Sequence, residues 1–161
     1  MTKFGELTAE QRLDVLESKD AIRDLVSGYA LGWDRHDVNL LLSVFHEDAE
    51  YLMPGLFGDF RGADEIRRVY DQVVVAIPET WHFTTNLLLK VDGDRATGIS
   101  EVNMHGTEAS GRPIILAATY LDEFQRRAGR WAISRRMVET HYVTGLLQGW
   151  GLTKESKFPK N

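Results

Sequence analysis

The sequence predicts a single α+β domain in which N-terminal helices pack into a strongly curved, mostly antiparallel sheet. Three observations predict it. Helical hydrophobic spacing dominates residues 9–75, strand-like segments dominate residues 81–142, and hairpin signals separate those segments. Helices followed by a run of strands are typical of α+β domains. A sheet curved over helices forms a cone, of which one end is core and the other can accept a ligand.

Length and composition fit one globular domain. The chain has 161 residues, of which 43% are hydrophobic, and a domain of this size buries ~70% of the surface that its unfolded chain exposes. We expect residues 1–9 to be a loose arm, residues 10–150 the domain, and the lysine-rich residues 151–161 a mobile tail. The absence of cysteine excludes disulfides and thiolate metal sites.

Charge and hydropathy narrow the class of partner. The formal net charge of −5 argues against nucleic acid, because broad phosphate neutralisation requires clustered cations. The chain opens without an apolar signal segment, and no run approaches the roughly 18 apolar residues of a membrane helix. We therefore expect a cytoplasmic protein that binds neither nucleic acid nor a membrane.

The first part of the chain is helical in pattern. Apolar residues recur at spacings of three and four from Ala9 to Trp33, which predicts a helix whose end Gly32 loosens. Ser18 or Asp20 fits the cap of a second helix within this stretch, so two consecutive helices are an alternative.

A short helix, a strand and another helix are expected next. The short helix runs from Asp37 to Phe45, with Asp37 as its N-cap. Ala49–Met53 has the alternation of a strand, which Pro54-Gly55 closes. Gly62 opens a further helix that ends near Val75.

The second half consists of strand-like segments separated by turn signals. Each segment is rich in β-branched and aromatic residues, and the turns between them predict hairpins. Consecutive hairpins form an antiparallel meander. The segments are Trp81–Val91, Arg95–His105, Pro113–Phe124 and Trp131–Tyr142, and the turns are Asp92-Gly93-Asp94, residues 108–111 and residues 126–129.

His82 is the residue that points to chemistry, because it lies within an apolar strand between Trp81 and Phe83. A lone histidine in a strand is more often a satisfied core or surface residue, so a catalytic role requires a partner from elsewhere in the chain. Asp34, at the end of the long helix, is the candidate. A carboxylate beside an imidazole fixes its tautomer and stabilises the imidazolium.

Two adjacent arginines lie on the last predicted strand, and one of them is expected to place its charge in the interior. Strand alternation places Arg136 and Val138 on one face and Arg135 on the other, so one arginine points inward if either face is buried. A buried arginine requires an anion, which comes either from the protein or from a ligand.

Three stretches carry a family resemblance: ESKDAIRDLVSGYALGWD, ETWHFTTNL and YLDEFQRRAGRWAISRR. Together they resemble the SnoaL-like branch of the nuclear transport factor 2-like superfamily, over roughly residues 16–145. Within that branch the resemblance is to scytalone dehydratase, the bile-acid 7-alpha-dehydratases and gamma-hexachlorocyclohexane dehydrochlorinase. It implies a cone-shaped α+β barrel of the cystatin-like kind.

The resemblance also implies roles for four residues. Asp34 and His82 match the family's catalytic aspartate and histidine, and Arg136 matches an arginine of the dehydrochlorinase pocket. Tyr29 departs from the dehydrochlorinase, which has a lysine there, and matches the active-site tyrosine of the bile-acid dehydratases. The departure favours loss of water, or proton transfer alone, on an oxygenated substrate.

We therefore expect a lyase or isomerase that needs no metal and no organic cofactor and acts on a small, apolar, ring-containing molecule. His82 is the expected general base. An alternative is a non-catalytic ligand-binding or scaffold module of the same fold, such as the small subunit of a ring-hydroxylating dioxygenase. A pure scaffold does not need Asp34 and His82 to converge. The expected substrate-binding residues are Trp33, Tyr51, Met53, Phe57, Val102, Met104, Ala118, Tyr120 and Thr140.

A homo-oligomer is also expected. The resemblance to the dehydratases favours a trimer, with a dimer as the alternative. The outer face of the sheet supplies a physical reason, since Trp81, Phe83 and Ile115 are predicted to lie there and exposed apolar patches are typical of interfaces.

Overall fold

The computed structural model describes residues 7–145, which form three helices and six strands. Their bounds, in chain order, are α1 Ala9–Asp34, α2 Val38–Ser43, β1 Phe45–Met53, β2 Gly58–Arg61, α3 Ala63–Ala76, β3 Glu79–Asp92, β4 Arg95–Thr107, β5 Pro113–Arg127 and β6 Arg130–Gly145. The α+β class is confirmed. The predicted tail lies outside the described residues, as does most of the predicted arm.

The helix α1 is one continuous helix, so the alternative of two helices is wrong. It begins with a capping box, in which the Thr8 hydroxyl accepts from the Gln11 amide at 3.2 Å and the Gln11 side chain accepts from the Thr8 amide at 2.9 Å. Ser18 lies buried inside the helix and not at a cap. The cap already present at Thr8 makes an internal start unnecessary.

Gly32 has a packing role and does not loosen the helix end. A Cβ on Gly32 would lie 2.8 Å from the backbone nitrogen of Leu41, so only glycine lets α1 and α2 approach this closely. The predicted cap of α2 is present, because the Asp37 carboxylate accepts from the Leu40 amide at 2.9 Å. The close approach of Gly32 to Leu41 fixes the point at which the chain turns back after Asp34.

The sheet has the order β2-β1-β6-β5-β4-β3. Strands β3 to β6 form the predicted antiparallel meander, and each runs beyond its predicted bounds. Two features were not predicted. The strand β1 begins at Phe45, where α2 was expected to continue, because Phe45 pairs with Ile133 of β6 in parallel. The short strand β2 pairs with the end of β1.

The concave face of the sheet packs against α1 through β3 and β6 and against α3 through β1 and β2, and it holds the core. Four aromatic rings of this core surround one buried tyrosine: Tyr29 meets Trp33, Phe45, Tyr51 and Tyr120 edge-on, with ring centroids 5.6–6.4 Å apart. The convex face carries exposed apolar side chains, among them Trp81 and Phe83. None of the helices within residues 7–145 is long and apolar enough to cross a membrane.

Candidate active site

The end of α1 and the start of β3 bring Asp34 and His82 together. The imidazole Nδ1 of His82 lies 2.6 Å from Oδ1 of Asp34, and the His82 backbone amide donates to Oδ2 at 2.8 Å. Both side chains are largely buried, with 10% of His82 and 9% of Asp34 exposed. A carboxylate can only accept, so Nδ1 carries the proton and Nε2 is the ring nitrogen left for a ligand.

Asp34 is held in its ionised form. Burial alone raises the pKa of this carboxyl, but the hydrogen bonds donated by His82 and Thr80 outweigh burial and leave the pKa below the ordinary value. Thr80 donates to Oδ1 at 3.1 Å. A negative charge beside Nδ1 stabilises the imidazolium that forms when Nε2 accepts a proton.

His82 lines a cavity inside the cone. The cavity has a volume of about 60 Å³ and is walled mostly by apolar and aromatic side chains. This volume is small beside the ~300–1,000 Å³ of pockets that hold drug-sized ligands. Its lining residues are Tyr29, Trp33, Tyr51, Met53, Leu56, Phe57, Val73, Ile77, Thr80, His82, Met104, Leu116, Tyr120 and Val138.

Several residues of the cavity wall carry phenol hydroxyls, and one carries an indole N–H. The hydroxyls of Tyr29 and Tyr51 are 2.5 Å apart, and Tyr120 packs against Tyr29. Burial, and then the neighbouring Tyr29, raise the pKa values of Tyr51 and Tyr120 well above the ordinary value, so both stay neutral at physiological pH. The indole Nε1 of Trp33 is buried and has no hydrogen-bond partner among the described residues.

Arg136 points inward, as one of the two arginines was expected to, but it is not part of the cavity wall. Its Nε and Nη2 each donate to Asp122 at 2.7 Å, and both side chains are fully buried. The guanidinium lies 4.1 Å from the ring centroid of Tyr29 and 4.3 Å from that of Tyr120. The protein itself therefore supplies the anion, and the charge of Arg136 acts behind the tyrosines.

Most of the predicted binding residues line the cavity. The six that do are Trp33, Tyr51, Met53, Phe57, Met104 and Tyr120. Val102, Ala118 and Thr140 do not, although they share one inward row across β4, β5 and β6. Val102 and Ala118 are buried in the core, and Thr140 is half-buried beyond Ala118.

Sequence reasoning missed several lining residues and one polar contact. Leu116 and Val138 are apolar strand residues that nothing in the pattern distinguishes from core. Val73 and Ile77 come from α3 and the segment after it. Thr80 was discoverable, because it stands two residues before His82 and strand alternation places both side chains on one face.

A model of the SnoaL-like domain family matches residues 14–137. The chain belongs to the SnoaL-like family. This protein is 34% identical over 137 residues to gamma-hexachlorocyclohexane dehydrochlorinase of Sphingobium indicum, a match that spans 83% of this chain and 87% of the relative. The predicted family is thereby confirmed, and this relative is by name a lyase.

Solved structures agree with the assignment of this SnoaL-like protein. A crystal structure of a type 2 hexachlorocyclohexane dehydrochlorinase superposes with a TM-score of 0.81 at 33% identity, over 86% of this chain and 95% of that one. A scytalone dehydratase-like protein of Novosphingobium aromaticivorans superposes with a TM-score of 0.73 at 24% identity, over 80% and 87%. At that identity the second structure supports the fold alone.

Proposed function

We propose that this SnoaL-like protein is a lyase that removes water from a small, ring-containing, oxygenated molecule, with His82 as general base. The observation that carries the proposal is the hydrogen bond between Nδ1 of His82 and Asp34, which leaves Nε2 free within a cavity. General base catalysis of this kind is worth ~10²–10⁴-fold in rate. No step requires a metal or an organic cofactor.

The reaction proceeds as a proton abstraction followed by departure of an oxygen. Nε2 of His82 takes a proton from a carbon next to the one that bears a hydroxyl group. The electron pair of the broken C–H bond forms the new C=C bond, and the C–O bond breaks with its electrons on oxygen. The imidazolium, stabilised by Asp34, then returns its proton to the departing hydroxide, which releases water and regenerates the base.

The donors in the cavity wall favour oxygen as the leaving atom. In the Tyr29–Tyr51 pair one hydroxyl proton is used between the two phenols, so the other remains available for a ligand. A departing hydroxide gains more from such a donor than chloride does, because oxygen is the stronger hydrogen-bond acceptor and the charge is more concentrated.

The size of the cavity limits the substrate. About 60 Å³ is too little for a polycyclic ligand, so a compact, single-ring molecule is favoured. Even this substrate requires the mouth to widen. Leu56 and Phe57 lie in the turn between β1 and β2 and line the cavity. Because both are already partly exposed, moving them opens the cavity with the smallest loss of buried apolar area.

A substrate screen in D₂O tests the proposal. Cyclic molecules with a hydroxyl group next to an acidic C–H bond, and matched rings with chlorine in place of the hydroxyl, are incubated with the protein and followed by mass spectrometry. Loss of one water, dependent on protein concentration, is the expected result. Loss of hydrogen chloride from chlorinated rings alone would overturn dehydration, and incorporation of deuterium without loss of mass would identify an isomerase.

A further inference from the structure

The Asp34 carboxylate is held by three hydrogen bonds, all of which come from β3. Oδ1 accepts from both the His82 ring and the Thr80 hydroxyl, at 2.6 and 3.1 Å, and Oδ2 accepts from the His82 backbone amide at 2.8 Å. The backbone bond survives any change of side chain. Among residues 7–145, Thr80 is therefore the one replaceable donor, other than the imidazole itself, that constrains this carboxylate.

The direction of the Thr80 bond is fixed by chemistry. An ionised carboxylate has no proton to give, so the threonine hydroxyl must donate its only proton to Oδ1. Two donors converge on Oδ1 and one on Oδ2, which defines the rotation of the carboxylate about its Cβ–Cγ bond. Thr80 is 6% exposed, and valine at this position fills the space of the hydroxyl with a methyl group that cannot donate, although Asp34 and Thr80 also border an open surface depression.

We infer that Thr80 is a positioning residue, which fixes the Asp34 carboxylate and thereby keeps the proton of neutral His82 on Nδ1. The inference rests on the proposed function, in which Nε2 must be unprotonated to act as the base. Without the Thr80 hydroxyl the carboxylate can turn, the bond to Nδ1 weakens, and the competing tautomer, with its proton on Nε2, becomes populated. That tautomer cannot accept a proton from substrate.

The strand itself supplies a matched control. Thr84 lies four residues after Thr80 on the same inward face of β3, and its Oγ1 is buried without a hydrogen-bond partner among the described residues. The substitutions Thr80→Val and Thr84→Val each replace a hydroxyl on the inward face of β3 with a methyl group. Only the first removes a hydrogen bond to Asp34, and Thr80→Ser retains the hydroxyl.

The test is ¹⁵N NMR of histidine-labelled protein without ligand, at a pH at which the ¹⁵N chemical shifts themselves report a neutral His82 ring. Wild type, Thr80→Ser and Thr84→Val are expected to show His82 as the Nδ1–H tautomer. Thr80→Val is expected to raise the share of the Nε2–H tautomer on the order of tenfold, the effect of losing one hydrogen bond to a charged group. A wild-type tautomer ratio in folded Thr80→Val would overturn the inference.

Kinetics with a substrate from the screen separates this inference from the proposed function. Thr80→Val should lower kcat on the order of tenfold with little change in KM, because the displaced Asp34 carboxylate stabilises the imidazolium less while the binding surface keeps its shape. Thr80→Ser should restore the rate. An active His82→Ala variant would refute the proposed function and leave the NMR result on Thr80 intact.

Discussion

Arg136 and Asp122 stand opposite each other on β6 and β5 and form a two-bond ion pair that is wholly buried. Burial removes both charges from water, so only the attraction and the hydrogen bonds between the two side chains offset their lost hydration. Either partner left alone would be an uncompensated charge in the core. The stability of the sheet beneath the cavity therefore depends on both residues together.

Breaking this pair should destabilise the protein far more than replacing it. Asp122→Asn and Arg136→Met are each expected to lower the free energy of unfolding by ~3–5 kcal/mol. The double replacement Asp122→Leu/Arg136→Met should recover most of that loss, because no unpaired charge remains. Urea unfolding measures all three variants. Single variants within about 1 kcal/mol of wild type would show that the pair is not essential to the core.

The buried tyrosines predict a loss of stability at alkaline pH. The folded-state pKa values of Tyr51 and Tyr120 lie above the ordinary value of 10.0, so both phenols ionise more readily in the unfolded chain. Their contribution is fully present below pH 10 and is lost as pH rises towards the folded-state pKa, at ~1.4 kcal/mol per pH unit for each. Urea unfolding at a series of pH values above 10 measures this loss of stability. Tyr51→Phe is the control, because its free energy of unfolding should fall less steeply with pH.

Tyrosinate absorbance checks the same claim independently. The chain has five tyrosines. We expect Tyr51 and Tyr120 to remain protonated until the protein unfolds. Ionisation of all five in the folded protein, with midpoints near the ordinary pKa, would contradict the prediction.

Tyr29→Phe tests the Tyr29–Tyr51 pair, which is proposed to supply the donor for the leaving oxygen. Breaking the pair should lower kcat ~10- to 100-fold with a small effect on KM, since the developing negative charge loses a hydrogen-bond donor held in place by its partner. Tyr70→Phe is the matched control, because Tyr70 is buried against Trp33 but does not line the cavity. If the two variants have equal rates, Tyr29 has only a packing role.

The outer face of the sheet predicts self-association. Trp81, Phe83 and Leu88 remain 64%, 53% and 70% exposed, and a surface depression of about 740 Å³ adjoins Leu88. Ile115, expected to share this face as an exposed residue, is buried at 9% and adds little. We propose a homotrimer that covers this face, and expect sedimentation equilibrium to give three times the chain mass.

A charge placed on that face should dissociate the oligomer. Leu88→Glu is expected to produce monomer, since burial of an unpaired carboxylate opposes assembly. Val75→Glu is the control, because Val75 is equally exposed, at 73%, but lies on α3. Wild-type protein that sediments as a monomer at micromolar concentration would refute the prediction.

Local pattern was enough to predict most of the fold. Hydrophobic spacing and turn residues identified α1, α3 and the four strands of the meander. The parallel pairing of β1 with β6 was not predictable, because it joins segments far apart in sequence and leaves no local signal. The strand β2, at residues 58–61, is short and half-exposed, so its pairing with β1 is all that defines it.

The ion-pair partner of Arg136 was not predictable from the sequence, for a different reason. The alternation of β6 predicted an inward arginine that required an anion, yet a hairpin counted from the turn at residues 128–129 places Asp122 opposite Arg135. A bulge at Ser134 shifts the register by one residue and brings Arg136 opposite Asp122. Bulges depend on tertiary packing, so the register was not predictable from the sequence.

The rate of the His82→Ala variant tests the central claim most directly. His105→Ala is its control, because His105 lies on the neighbouring strand β4 but is exposed on the outer face. With a substrate from the screen, and circular dichroism to show that both variants are folded, His82→Ala should lose ~10²–10⁴-fold in kcat while His105→Ala keeps the wild-type rate. A folded His82→Ala protein with the wild-type rate would show that His82 is a structural histidine and contradict the account.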